Sequence, residues 1–164
     1  MTQPQTAAAQ ARARPASRYP ETGAHDEPAD LPGIARALLA AGKVDVVIGW
    51  EESRRGPRPV FITSADDAGR LIFDTRCGHD LVTYLNPRRT QVAELGRAAV
   101  VVKGCDAKAV AGLLREGQID REQIVLIGVR CGGVHEVSDV PVDTPLTPET
   151  VSPRCFHCDN REPH

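Results

Sequence analysis

The chain has 164 residues, 20 Lys and Arg against 22 Asp and Glu, and a formal net charge of -2. That is the length of one ordinary domain, and the charge balance excludes a binder that works by neutralising nucleic-acid phosphates. No apolar run approaches the roughly 20 residues that a membrane-spanning helix needs. Aromatic residues make up only 4%, so a core of Val, Leu, Ile and Ala is expected, the usual filling of a parallel sheet buried on both faces.

In chain order, residues 1–29 carry Gln, Ala, Arg, Pro and Ser without an apolar period and read as a disordered leader. Glu21, Asp26 and Glu27 speak against a transit peptide, and the absence of an apolar stretch speaks against export, so a cytoplasmic location is expected. An α/β domain is predicted over 30–135 and a Pro-rich tail over 136–164. Asp30 can cap a helix with Pro32 in its first turn, Ile34, Leu38 and Leu39 on one face, and Gly42 as its stop. Strands are predicted over 44–49 and 59–63, the second followed by a helix over 65–73 with Ser64 as its cap. A further helical stretch covers 78–85 and ends before Pro87. The clearest segment is a strand over 97–103, a tight turn at Gly104-Cys105-Asp106, a helix over 107–116 closed by Gly117, and a strand over 123–129. Strand, helix and strand at this spacing form a βαβ unit, and the expected fold class is α/β with a mostly parallel sheet.

Five cysteines in a chain without a secretory signal point to metal binding, redox chemistry or catalysis before disulfides. Cys105 and Cys131 both follow strands of the βαβ unit, at the sheet edge where α/β proteins bind ligands. A helix N-terminus beside Cys105 is expected to lower its thiol pKa, and the neighbouring glycines allow close approach of a ligand. Cys155 and Cys158 form a C-x-x-C pair in the tail. Together the four supply the thiolates of a [4Fe–4S] cluster or of a zinc site with four cysteine ligands. A single cysteine beside a strand, in contrast, is ordinarily a small buried hydrophobe. Cys77 is the fifth thiol and an alternative ligand, and His79 and His157 are nitrogen donors close to cysteines.

The segments Lys103-Gly104-Cys105-Asp106-Ala107-Lys108-Ala109-Val110, Glu116–Glu122 and Ile127-Gly128-Val129-Arg130-Cys131-Gly132-Gly133 resemble the coenzyme F420 hydrogenase/dehydrogenase beta-subunit family, in its short 4Fe-4S ferredoxin-like branch. The stretch 42–49, the stretch 73–85 with Cys77, and the terminal Cys155-x-x-Cys158-x-x-Arg161-x-Pro163 fit the same pattern, so the resemblance covers about residues 34–164. It implies an iron–sulfur redox protein working with a flavin- or deazaflavin-linked oxidoreductase, with oxidoreductase subunits or ferredoxin-type carriers as partners. Cys105, Cys131, Cys155 and Cys158 would be the metal ligands, and Lys103, Gly104, Asp106 and Arg130 would surround the cofactor.

Fuller members of that family carry flavin. This sequence has no C-x-x-C-x-x-C-x-x-x-C-P ferredoxin run and stops soon after Cys158, which leaves FAD open as a second cofactor and favours a redox subunit over a stand-alone enzyme. The contrasting reading is a zinc-stabilised binding module held by the same four cysteines, in which the metal pins the tail to the sheet. A thiol enzyme built on Cys105 ranks last, because position 111, where a phosphate-cradling C-x5-R loop would place Arg, is Ala.

Overall fold

The computed structural model describes residues 30–86 and 88–163, apart from the side chains at 90 and 91. The predicted leader and His164 lie outside the described residues. The first element is α1, Leu31–Ala40, and it starts as its sequence dictates: Asp30 Oδ1 accepts a hydrogen bond from the Gly33 N–H at 2.8 Å, and Pro32 occupies the first turn. Leu31 and Ala35 turn inward. Gly42 then takes φ +60°, a left-handed conformation that a β-carbon disfavours, and the helix stops.

The sheet is built around β1, Val46–Glu51, all six residues of which are buried. Side chains alternate between the faces of a strand, so both faces of β1 are covered. The antiparallel β2, Arg58–Ile62, lies along one edge of β1. The other edge pairs first with the parallel β4, Ala98–Val102, and then with the antiparallel two-residue β3, Leu71–Ile72. Beyond β4 lies β5, Ile124–Gly128, again parallel, giving the order β2-β1-β4-β5. The expected parallel βαβ unit is present, with α3, Gly104–Arg115, as its crossover. The remaining helix, α2, is a single turn over Thr90–Ala93. Among the described residues no helix is long and apolar enough to cross a membrane.

Three expectations need correction. The helix predicted over 65–73 is a 3-10 segment, Ala65–Arg70, followed by β3. Ser64 does cap it, but Leu71 and Ile72 pair with Glu51 and Trp50 where β4 has left the edge of β1 open. The helix predicted over 78–85 shrinks to a 3-10 turn, Leu81–Leu85, capped by Asp80. The first strand begins two residues late, because Asp45 is engaged elsewhere: its carboxylate accepts from the Arg97 N–H at 2.8 Å, tying the entries of β1 and β4 together.

The main core is aliphatic, as the composition implies, with Trp50 as its largest fully buried side chain and Phe73 at 5.6 Å between ring centroids. The tail has no regular sheet, but it is not loose. A bridge between His135 and Val151 closes it on itself, and Val134, Val151 and Cys155 form a second small core against which Cys131, Leu146 and Phe156 pack.

Candidate functional site

Parallel register brings two of the cysteines to one place. Val102 and Gly128 are partners at the ends of β4 and β5. Cys105 lies three residues past the first and Cys131 three residues past the second, so adjacent strands deliver both at one edge. Helix α3 starts at Gly104, three residues earlier than predicted, which puts Cys105 inside its first turn. The cause is Asp106, whose carboxylate accepts from the backbone N–H of Lys103 at 3.1 Å and so caps the helix one turn early.

The tail then carries the C-x-x-C pair back to that edge. The Cys131 N–H donates to the Arg161 carbonyl at 2.9 Å, and the Arg161 guanidinium donates to the Gly132 carbonyl at 2.7 Å. The Ser152 N–H donates to the Val134 carbonyl at 2.8 Å, and Arg154 donates to the carbonyl of Gly78. A β-carbon at Gly104 would collide with the carbonyl of Asn160, and one at Gly128 with the ring of Pro163. The close approach at these glycines is therefore made by the chain's own tail.

The result is a cavity of about 100 Å³ bordered by all four cysteines, Cys105, Cys131, Cys155 and Cys158, together with Lys103, Asp106, Arg154 and Arg161. All are free thiols. Among the described residues, no group of three or more His, Cys, Asp or Glu side chains converges closely enough to hold a metal ion. The four cysteines instead surround a space. Their thiols are near enough for Cys105 to feel the charge of Cys131 and Cys158, and for Cys131 to feel that of Cys155.

Electrostatics here depart from the expected lowering of the Cys105 thiol. Burial pushes it up to about 12, the Asp106 carboxylate adds to the rise, and Lys103 opposes it. Residue 105 as a whole is exposed, but desolvation and the adjacent carboxylate together outweigh its place at a helix N-terminus. Cys131 is also raised, first by burial, with the Gly133 N–H and Lys103 pulling the other way. Both shifts favour the protonated thiol, and a soft cation that binds here has to displace that proton, which is how thiolate metal sites load.

The other predicted residues are placed differently. Cys77 does not border the cavity; its side chain is fully buried in the main core and accepts from the Asp74 N–H at 3.3 Å. Burial pushes that thiol up to about 12. The Gly104 backbone lies under the tail, and Arg130 pairs with Glu162. Of the four residues predicted around a cofactor, Lys103 and Asp106 border the cavity. His79 stacks near Tyr84 at 5.7 Å, with its imidazole pKa lowered first by burial, and His157 is exposed. Sequence reasoning gave no role to Arg154, Asn160 or Arg161. The Cys-x-x-Cys-x-x-Arg-x-Pro spacing held the signal, because it places Arg161 and Pro163 where the tail meets Gly132 and Gly128.

No family model matches the chain. A stretch of 102 residues, 61% of the chain, is 31% identical to the F420-dependent formate dehydrogenase 1 subunit beta of Methanococcus maripaludis. The chain spans 26% of the length of that relative.

The donor set at the cavity suits a sulfur-bound metal group. Four thiols border one space, soft ligands of the type that selects iron–sulfur clusters and zinc. Three cationic side chains against one carboxylate leave the surrounding wall with a net two positive charges, opposite in sign to a set of thiolates.

Proposed function

We propose that this chain is an iron–sulfur electron-transfer protein, an accessory subunit of a flavin- or deazaflavin-linked oxidoreductase, in which Cys105, Cys131, Cys155 and Cys158 hold a [4Fe–4S] cluster. The observation that carries the reading is the meeting of four cysteines from three separate segments around one cavity. A bound cluster would supply one-electron transfer. The protein's own residues do the rest. Strands β4 and β5 fix Cys105 and Cys131, the second small core fixes Cys155, and the tail's bonds to Gly132 bring Cys158 alongside. Lys103, Arg154 and Arg161 offset the negative charge of four thiolates.

Similarity to a formate dehydrogenase beta subunit supports the oxidoreductase context and the place of the protein as a subunit. Its partners would be the other subunits of such an enzyme or ferredoxin-type carriers. Thiols that border a space favour a polynuclear group over a single zinc ion, whose four sulfurs would lie only about 3.8 Å apart at a zinc–sulfur distance of about 2.3 Å. The test is the full chain purified without oxygen. A brown protein with broad visible absorption that bleaches on reduction, and a matching EPR signal, is the expected result. A colourless protein carrying zinc would overturn the proposal.

A further inference from the structure

One charged side chain at the cavity is buried at a cost that packing does not explain. Lys103 is 3% exposed. Its ammonium donates to Asp106 Oδ2 at 2.9 Å, to the His79 carbonyl at 3.3 Å and to the Cys77 carbonyl at 3.4 Å. All three N–H bonds are committed. The same nitrogen lies 4.5 Å from the centre of the Trp50 ring, which is itself completely buried. The charge is pinned from several sides and cannot swing into solvent. A buried ion pair is a poor source of stability, and an apolar residue of similar volume usually serves as well; a methionine over Trp50 would fill the same space. The cation must therefore act on something, and what it borders is the four-cysteine cavity.

We propose that Lys103 is a positioning residue for redox chemistry: a fixed positive charge that raises the reduction potential of the group held by the four cysteines. The inference rests on the iron–sulfur reading above. Uptake of one electron from a one-electron donor by a group held there would add one negative charge to the cavity. A pinned cation beside it, shielded from water, stabilises the reduced form more than the oxidised one. Arg154 and Arg161 carry the same sign and are likewise anchored on carbonyls, those of Gly78 and Gly132, but Arg154 is exposed and Arg161 only half-buried. Asp106 carries the opposite sign and holds Lys103 in place. Lys103 is thus the cation fixed between the strand end and the core.

The experiment is an EPR-monitored redox titration of the full chain, purified and handled without oxygen, with dithionite and mediators. Wild type is compared with Lys103→Met, Lys103→Gln, Lys103→Arg and Asp106→Asn, with iron counted in each. We expect either neutral substitution at Lys103 to shift the one-electron equilibrium at least tenfold toward the oxidised form, about 59 mV downward. Lys103→Arg should stay near wild type, and Asp106→Asn should move the midpoint upward. A neutral variant that keeps its iron and the wild-type midpoint overturns the inference, as does an arginine variant that behaves like the neutral ones. If neither neutral variant folds, Asp106→Asn decides, and a midpoint that is unmoved or lowered is contrary. Wild type without iron defeats the iron–sulfur reading and this inference with it; wild type with iron and unmoved midpoints defeats this inference alone.

Discussion

The edge formed by the C-terminal ends of the parallel strands carries two concentrations of polar side chains, and they are built on opposite principles. At the end of β1, Glu51 is gripped by Arg58 and Arg70, each donating through two nitrogens, and the buried Arg76 is shared between Glu52 and Asp74. Every charge there is answered by a neighbour in the same network, so the cluster locks β1 to β2, to the turn at 65–70 and to the loop at 74–76. At the ends of β4 and β5 the polar groups are instead arranged around a space, with four thiols, three cations and one carboxylate bordering it. A network closed on itself does structural work; one arranged around a cavity leaves capacity for something else.

The largest effect should separate the two ends cleanly. Replacing any one of Cys105, Cys131, Cys155 or Cys158 by Ala should cut bound iron at least tenfold while leaving the far-UV circular dichroism unchanged. Cys77→Ala should keep its iron but lower unfolding free energy by about 1–2 kcal/mol, through the small cavity left in a packed core. If Cys77→Ala loses iron and Cys155→Ala does not, the thiols have been assigned wrongly. Trp50→Ala comes next, with an expected loss of about 3–5 kcal/mol in denaturant unfolding, because its fully buried ring joins the core to Lys103.

The closed network makes a pH prediction. Burial alone would raise the Glu51 carboxyl, but the hydrogen bonds and charges of Arg70 and Arg58 outweigh it and hold the group below its ordinary value. Its pKa is lower folded than unfolded, so its stabilising contribution is complete above the unfolded value of about 4.3 and is lost as pH falls through the folded one. Glu51→Gln should therefore cost about 1–2 kcal/mol at neutral pH and flatten the decline of stability in acid; an equally steep acid decline in the variant would assign that loss to other carboxylates. The smallest effect is expected at Arg130, whose partner Glu162 is itself well exposed. Arg130→Ala should change stability by less than about 0.5 kcal/mol and leave iron content unchanged, which would confine the site to the cavity.

How much of this was legible in the sequence follows the physics of each element. The βαβ unit was readable because β4 and β5 are continuous apolar runs, and because Gly117 and Asp120 punctuate the crossover. Asp30 and Ser64 were readable as caps because a side-chain oxygen beside a helix start has little else to do. The helix expected at 65–73 failed because tertiary pairing overrode local preference: Leu71 and Ile72 met an open edge of β1 that no local pattern announces. At the site, the positions of Cys105 and Cys131 were legible, since strand ends in a parallel sheet share an edge. The environment of those thiols was not. Whether a helix N-terminus or burial governs Cys105 depends on what covers it. The cover is the tail, which returns from far along the sequence through bonds at Gly132 and close contacts at Gly104 and Gly128.

The most direct measurement is a crystal structure of the anaerobically purified full chain, with anomalous data collected on both sides of the iron absorption edge. We expect one compact iron peak inside the cavity, within bonding distance of the sulfurs of Cys105, Cys131, Cys155 and Cys158, with Lys103 still seated over Trp50. An anomalous peak at the zinc edge in that position, an iron site elsewhere, or a disulfide between Cys155 and Cys158 with the cavity empty of metal would contradict the central claim.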